Sequence, residues 1–207
     1  MVQQIGGNIQ ESLLLLAWNF TPQPNLARSF TVTPDGLVYV FHLEPDVRWH
    51  DGAPFTARDV VFSCDRMLRQ LNPRSRNAFN NCESIRALDG LTVEFRLKQP
   101  FNAFLLSLMA SNAPIMPAQI YEGSDFRTNP HNFRPIGTGP FKFARWERGQ
   151  YIRLTRNPDY WRKGYPRIDD IYFRVCPTPE QRMVALETGA VDIALADDIS
   201  KAFAGLK

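Results

Sequence analysis

The sequence predicts an α/β chain: a mixed sheet carrying an inserted layer of antiparallel strands and helices. Three observations lead there. Residues 141–146 and 151–156 alternate apolar and polar around Arg148-Gly149-Gln150, the period and turn chemistry of a hairpin. Residues 170–175 alternate again, a capped helix begins after Thr178, and a second apolar run covers 191–195. Strand, helix and strand so close together form a βαβ unit, which requires parallel neighbours. Between them and the N-terminus, runs at 37–43 and 92–98 alternate as strands, with a helical pattern after Thr56.

The 207 residues are ample for a buried core, with 44% apolar and 22% charged side chains, the balance of an ordinary globular protein. A net charge of +3 gives no ground for nucleic acid as a partner. The 15 Phe and 16 Pro suit a loop-rich fold with an aromatic core. No apolar run reaches the roughly 20 residues that span a bilayer. The longest, Leu13 to Ala17, lacks the basic start of a signal peptide. Cys64, Cys82 and Cys176 show no metal-binding spacing. Either Cys64 and Cys82 are joined, which contributes about 3 kcal/mol by loop closure, or all three are buried free thiols.

In chain order, Asn8 caps a predicted helix over 9–18 that buries Leu13, Leu14 and Ala17. Thr33-Pro34-Asp35-Gly36 has turn chemistry, and the strand after it directs Tyr39, Phe41 and Leu43 to one face. Thr56 with Asp59 three residues on is a capping-box variant. The helix it opens carries Val60, Cys64, Met67 and Leu71 on one side and ends at Asn72-Pro73, where proline restricts the preceding residue. Residues 72–81 read as a polar loop, 92–98 as a strand with Val93, Phe95 and Leu97 inward, 101–110 as a helix, and 117–122 as a short one. A polar linker follows over 123–134. Thr178, Pro179 and Gln181 form an N-terminal capping box, and Gly189 stops that last helix. This organisation gives a main α/β subdomain from 1–29 and 132–207 and an inserted subdomain over 30–131.

The central stretch is Gly137-Thr138-Gly139-Pro140-Phe141, its hairpin, then Asn157-Pro158-Asp159-Tyr160-Trp161. The two glycines read as turn geometry, and the two closing aromatics dock the connection onto a core. With the later Ala185-Leu186-Glu187-Thr188-Gly189-Ala190-Val191-Asp192 and the earlier Trp49-His50-Asp51-Gly52-Ala53-Pro54-Phe55-Thr56, this order of motifs resembles the bacterial extracytoplasmic solute-binding proteins of family 5 over about residues 9–198. The resemblance implies a lobe of the type II periplasmic-binding-protein fold, without its second lobe. It implies a receptor, periplasmic or lipid-anchored outside the cytoplasm, that hands oligopeptides or dipeptides to an ABC permease in the membrane. Nickel chelates, oligosaccharides or a ligand-sensing regulatory module are the alternatives.

Catalytic signatures are missing: there is no G-x-S-x-G, H-E-x-x-H or phosphate loop. His50-Asp51 falls in a turn, and three scattered histidines do not suggest a metal site, so neither cofactor nor metal is expected. Arg153, Arg156, Arg162, Lys163 and Arg167 interleave with aromatics, but hairpin alternation sends the arginines to solvent. Ligand contacts come instead from the resemblance. It implies cleft-facing segments at Arg76 and Phe79, at Ser111 and Asn112, and at Ala194 to Asp198, with Ala194 and Asp197 as the candidates there. Arg76 then pairs with a ligand carboxylate, Phe79 covers it and Asn112 bonds a peptide group.

Overall fold

Residues 2–109 and 112–195 are described by the computed structural model. They fall into two compact units, one running to Phe143 and including Thr155–Asp169, the other Ala144–Leu154 with the residues from Asp170 onward.

In the first unit, four strands pair antiparallel in the order β3-β4-β6-β5: β3 (Ala27–Val32), β4 (Val38–Leu43), β6 (Thr92–Leu97) and β5 (Cys82–Asp89). Alternation works here as the sequence predicts. Tyr39, Phe41, Leu43, Val93, Phe95 and Leu97 are all buried on one face, and each such side chain contributes on the order of 1.5–3 kcal/mol. Phe41 meets Phe95 edge-on at 5.5 Å between ring centres, and Phe104 closes on both Tyr39 and Phe95.

The helix after Thr56 starts where expected, as α2 (Ala57–Val61). It continues through a π-helical stretch, Phe62–Met67, into α3 (Leu68–Leu71). Asp59 does more than cap it. One carboxylate oxygen accepts from the Thr56 amide at 2.9 Å, and the other accepts from the Ala118 amide at 2.9 Å. That second bond ties α2 to α6 (Ala118–Tyr121) across a second apolar cluster of Phe62, Met67, Met116 and Tyr121. Burial raises the Asp59 pKa, opposed by these two amides.

Several expectations fail for physical reasons. No helix covers 9–18. Helix α1 is Val2–Ile9, and the leucine run enters β1 (Leu14–Leu16), which pairs with β2 (Pro22–Pro24). A run of leucines has no period of its own, so available partners decide its state. Residues 72–81 are not a loop. Asn72 is extended before Pro73, as expected, but Pro73 then opens helix α4 (Pro73–Asn80). Its apolar face is only Ala78 and Phe79, too small for a periodic signal. Strand β5 carries no alternating signal in the sequence because register irregularities between Cys82 and Ser84 and between Ala87 and Asp89 break its alternation. The helix predicted over 101–110 shrinks to α5 (Phe104–Ser107).

The second unit holds most of the three-stranded sheet β7-β8-β9, with β7 (Phe141–Glu147), β8 (Tyr151–Arg156) and β9 (Asp170–Arg174). Gly149, at φ +76°, makes the turn between the first two, a backbone conformation that favours glycine. Thr178 caps α7 (Pro179–Glu187) by accepting from the Gln181 amide, and Gly189 follows it at φ +68°. The strand predicted over 191–195 does not form. Those residues pair with no strand, leaving Ile193 85% exposed, so the predicted βαβ unit is not completed. Cys64 and Cys82 are buried free thiols, whereas Cys176 is free and only half-buried.

Candidate functional site

The first unit is assembled around Gly137-Thr138-Gly139. Helix α1 ends at Ile9, leaving carbonyls without partners in the helix. The Gly139 amide donates to the Ile9 carbonyl at 2.9 Å. The approach is so close that a Cβ on Gly137 would lie 1.8 Å from the Ile9 oxygen, and one on Gly139 2.6 Å from it. Neither glycine has a positive φ. They are glycines because another backbone touches them, which corrects the turn-geometry expectation.

His50 is the second clamp. Its Nε2 stands 2.9 Å from the Gly139 carbonyl, a group that only accepts, so Nε2 carries the proton. Nδ1 then accepts from the Gly137 amide at 3.2 Å, and the His50 amide donates to the Gly137 carbonyl at 2.9 Å. Both ring nitrogens are spent on backbone, which leaves none for proton transfer. Burial lowers the His50 pKa from 6.5 to about 4. The neutral ring is thus the folded form. Stability from this clamp is complete above pH 6.5 and lost as pH falls toward 4. Between pH 7 and pH 5 the loss should be about 2 kcal/mol. Urea titrations at the two pH values, on the parent and on His50→Gln, isolate that difference. An equal pH dependence in both proteins refutes it.

Thr138 reaches the third element. Its hydroxyl donates to Oε2 of Glu11 at 3.0 Å. The same oxygen accepts from Trp161 Nε1 at 3.0 Å, and Oε1 accepts from the Tyr160 hydroxyl at 2.8 Å. Glu11 is 7% exposed, and its burial raises its pKa against the pull of these three donors and of the nearby Arg162 charge. The aromatic pair therefore does more than pack: it hangs on one carboxylate. Asn157, two positions before Asp159, donates to the Gly139 carbonyl at 3.2 Å and fixes where that pair begins. Sequence reasoning missed Glu11. The available signal was a single carboxylate between Ile9 and four leucines, since a charge amid apolar residues is buried only when partnered.

Beside this anchor is an open cavity of about 170 Å³, lined by Gln10, Glu11, Leu15, Asn25, Tyr160 and Arg162 among others. The Arg162 guanidinium donates to Asn25 Oδ1 at 2.6 Å and stacks 4.6 Å above the Trp161 ring. Among the described residues no group of three His, Cys, Asp or Glu side chains converges as a metal site would require.

Among the described residues, none of those proposed from the resemblance takes part in the anchor's hydrogen bonds. Arg76 is exposed on α4, its Nη2 donating to the Gln70 carbonyl at 2.9 Å. Phe79, on the same helix, is fully buried in the main core, so its ring faces inward rather than toward solvent. Asn112 is half-buried, and its side chain donates to the Leu106 carbonyl at 3.1 Å. Ala194 is half-buried in the irregular stretch after α7. Ser111 and Asp197 lie outside the described residues.

Similarity to known proteins agrees with the motifs. The model of the bacterial extracellular solute-binding proteins, family 5, matches residues 21–205. A glutathione-binding protein, GsiB of Pectobacterium atrosepticum, is 35% identical over 82% of the chain and 32% of its own length. NikZ from Campylobacter jejuni, solved with Ni(L-His), superposes with a TM-score of 0.81 at 30% identity, covering 91% of this chain and 38% of that one. DppA from Helicobacter pylori, solved with the peptide STSA, gives 0.75 at 32% identity over 89% and 40% of the two chains. The chain thus spans about a third of the length of the curated relatives it matches. With the fold, the two anchored motifs and these matches in agreement, the chain belongs to the bacterial extracellular solute-binding proteins of family 5.

Proposed function

We propose that this chain is the N-terminal portion, most of one lobe, of an extracytoplasmic receptor delivering oligopeptides or dipeptides to an ABC importer. The family match over residues 21–205 carries the reading. The peptide class is supported by similarity to receptors solved with the peptide STSA and with a nonapeptide, and by the glutathione-binding relatives, since glutathione is itself a short peptide. Such a receptor acts by closing two lobes on its ligand, not by chemistry, and the closed form is what the permease meets. Its place is the periplasm, or the outer face of a membrane through a lipid anchor.

Within that receptor, residues 1–29 with 132–207 form the main subdomain and 30–131 the smaller one. Arg76 and Asn112 remain its proposed ligand contacts, Ser111, Ala194 and Asp197 are proposed as further ones, and Phe79 buttresses α4 from the core. Extended peptides are held mainly through their backbone amides, and water fills the side-chain pockets. A nickel-chelate receptor is the second reading, favoured by the similarity to NikZ.

The 207-residue chain supplies only one lobe's contacts, so it should bind short peptides more weakly than about 1 mM, whereas a receptor extended through the second lobe reaches the micromolar range. Calorimetry with tri- and tetrapeptides on both forms tests this. Micromolar affinity in the short chain overturns the one-lobe reading. Retention of Ni(L-His) but no peptide by the extended receptor replaces the ligand class with the second reading.

A further inference from the structure

One surface feature plays no part in the anchor or in the proposed ligand contacts. The β1–β2 hairpin projects a loop over residues 17–21 whose two aromatics are bare: Trp18 is 102% exposed and Phe20 78%. Leu15 and Leu16 behind them are also exposed, at 37% and 47%. This is no loose end. The Ala17 amide donates to the Thr21 carbonyl at 3.0 Å, the Phe20 amide to the Ala17 carbonyl at 2.9 Å, and Asn19 Oδ1 accepts from both the amide and the hydroxyl of Thr21. Phe20 is held at φ +62°, a conformation rare for a bulky side chain, so an aromatic is kept outward at a cost in backbone strain.

Three properties of this prong select among occupants. Pro22 and Pro24 occupy the outer strand β2, which removes amide donors from that edge and disfavours the addition of another strand. From residue 12 to residue 34 there is one charged side chain, Arg28, and no carboxylate to be repelled by an anionic surface. The amides of Ala17, Phe20 and Thr21 are satisfied within the loop, so they can leave water without losing partners. Trp and Phe at a tip, leucines behind, a stretch without carboxylates and three internally bonded amides are what the boundary between lipid headgroups and acyl chains accepts.

We propose that the Trp18–Phe20 loop is a membrane-contacting prong that inserts shallowly into the outer boundary of a lipid bilayer. The insertion is reversible, because two aromatics and two leucines bury far less apolar surface than a spanning helix. It keeps the protein at the membrane surface independently of any ligand.

The test is co-sedimentation of the 207-residue chain with vesicles of phosphatidylcholine, alone and with phosphatidylglycerol. Tryptophan emission is followed in parallel with lipids brominated along the acyl chain. The expected results are partition into the pellet, a blue shift, and quenching that disappears in Trp18→Phe. Trp18→Ser with Phe20→Ser should reduce partition at least roughly tenfold. Both side chains are exposed, so the double variant should keep its circular dichroism and urea midpoint. Partition unchanged in that variant overturns the proposal, as does no partition at all. Self-association by sedimentation velocity that the double variant abolishes, without vesicle binding, replaces the bilayer by a second copy of the chain.

Discussion

Gly137→Ala should unfold this protein or leave it more than about 3 kcal/mol less stable. Its new methyl group would lie 1.8 Å from the Ile9 carbonyl oxygen and 2.6 Å from the carbon it is bonded to. The obstacle is backbone, so no side-chain rotation relieves it. Either α1 moves away from the Gly139 amide, or the 137–139 segment moves and takes the His50 and Glu11 contacts with it. Gly7→Ala is the control. No atom comes within 4 Å of a Cβ there, and the position is inside α1, so alanine should be neutral or stabilise by up to about 1 kcal/mol. Urea unfolding followed by far-ultraviolet circular dichroism checks both. A Gly137→Ala protein with the parent's midpoint would mean that the close approach is not obligatory.

Glu11→Ala carries the second large effect. Removing the carboxylate strands the Thr138 hydroxyl, the Tyr160 hydroxyl and the Trp161 indole together, the first buried and the other two half-buried. Each orphaned donor costs about 1–3 kcal/mol, and losses within one network are not additive, so about 3–5 kcal/mol is expected. Glu11→Gln separates hydrogen bonding from charge. An amide oxygen placed at Oε2 still accepts from Thr138 and Trp161. The amide nitrogen at Oε1 donates to the Tyr160 oxygen once that hydroxyl rotates. The loss should then be only about 1 kcal/mol. A double-mutant cycle with Tyr160→Phe should return a coupling of about 1–2 kcal/mol. Coupling near zero would mean that Tyr160 is held by packing alone.

Glu11 and His50 also oppose each other in pH. Burial raises the Glu11 pKa, so deprotonation costs stability as pH rises through the raised value, and acid relieves that cost. The neutral His50 clamp loses stability on acidification. The comparison with His50→Gln is needed for this reason, because a raw pH profile mixes both signs.

Much of this protein is readable without coordinates wherever local chemistry and burial agree. Phe41, Val93 and Phe95 alternate because one sheet face is buried, and the Thr56 and Thr178 caps satisfy amides only a few residues away. The order of the Trp49 and Gly137 motifs was likewise enough to place the family. The prediction failed where a distant partner decides. The leucine run carries no period, so pairing with 22–24 rather than propensity set its state. Phe79 looked like part of a loop because only Ala78 and Phe79 of that helix form its apolar face.

The anchor is the clearest division. The chain itself contains the glycines at 137 and 139, the buried-type aromatics at 160 and 161, and a carboxylate at 11. Only folding shows that Ile9 is the reason for the glycines and Glu11 the reason for the aromatics' polar atoms. Steric exclusion and hydrogen-bond satisfaction act between residues that are close in space, here some 130 to 150 positions apart, and no pattern along the chain encodes that distance.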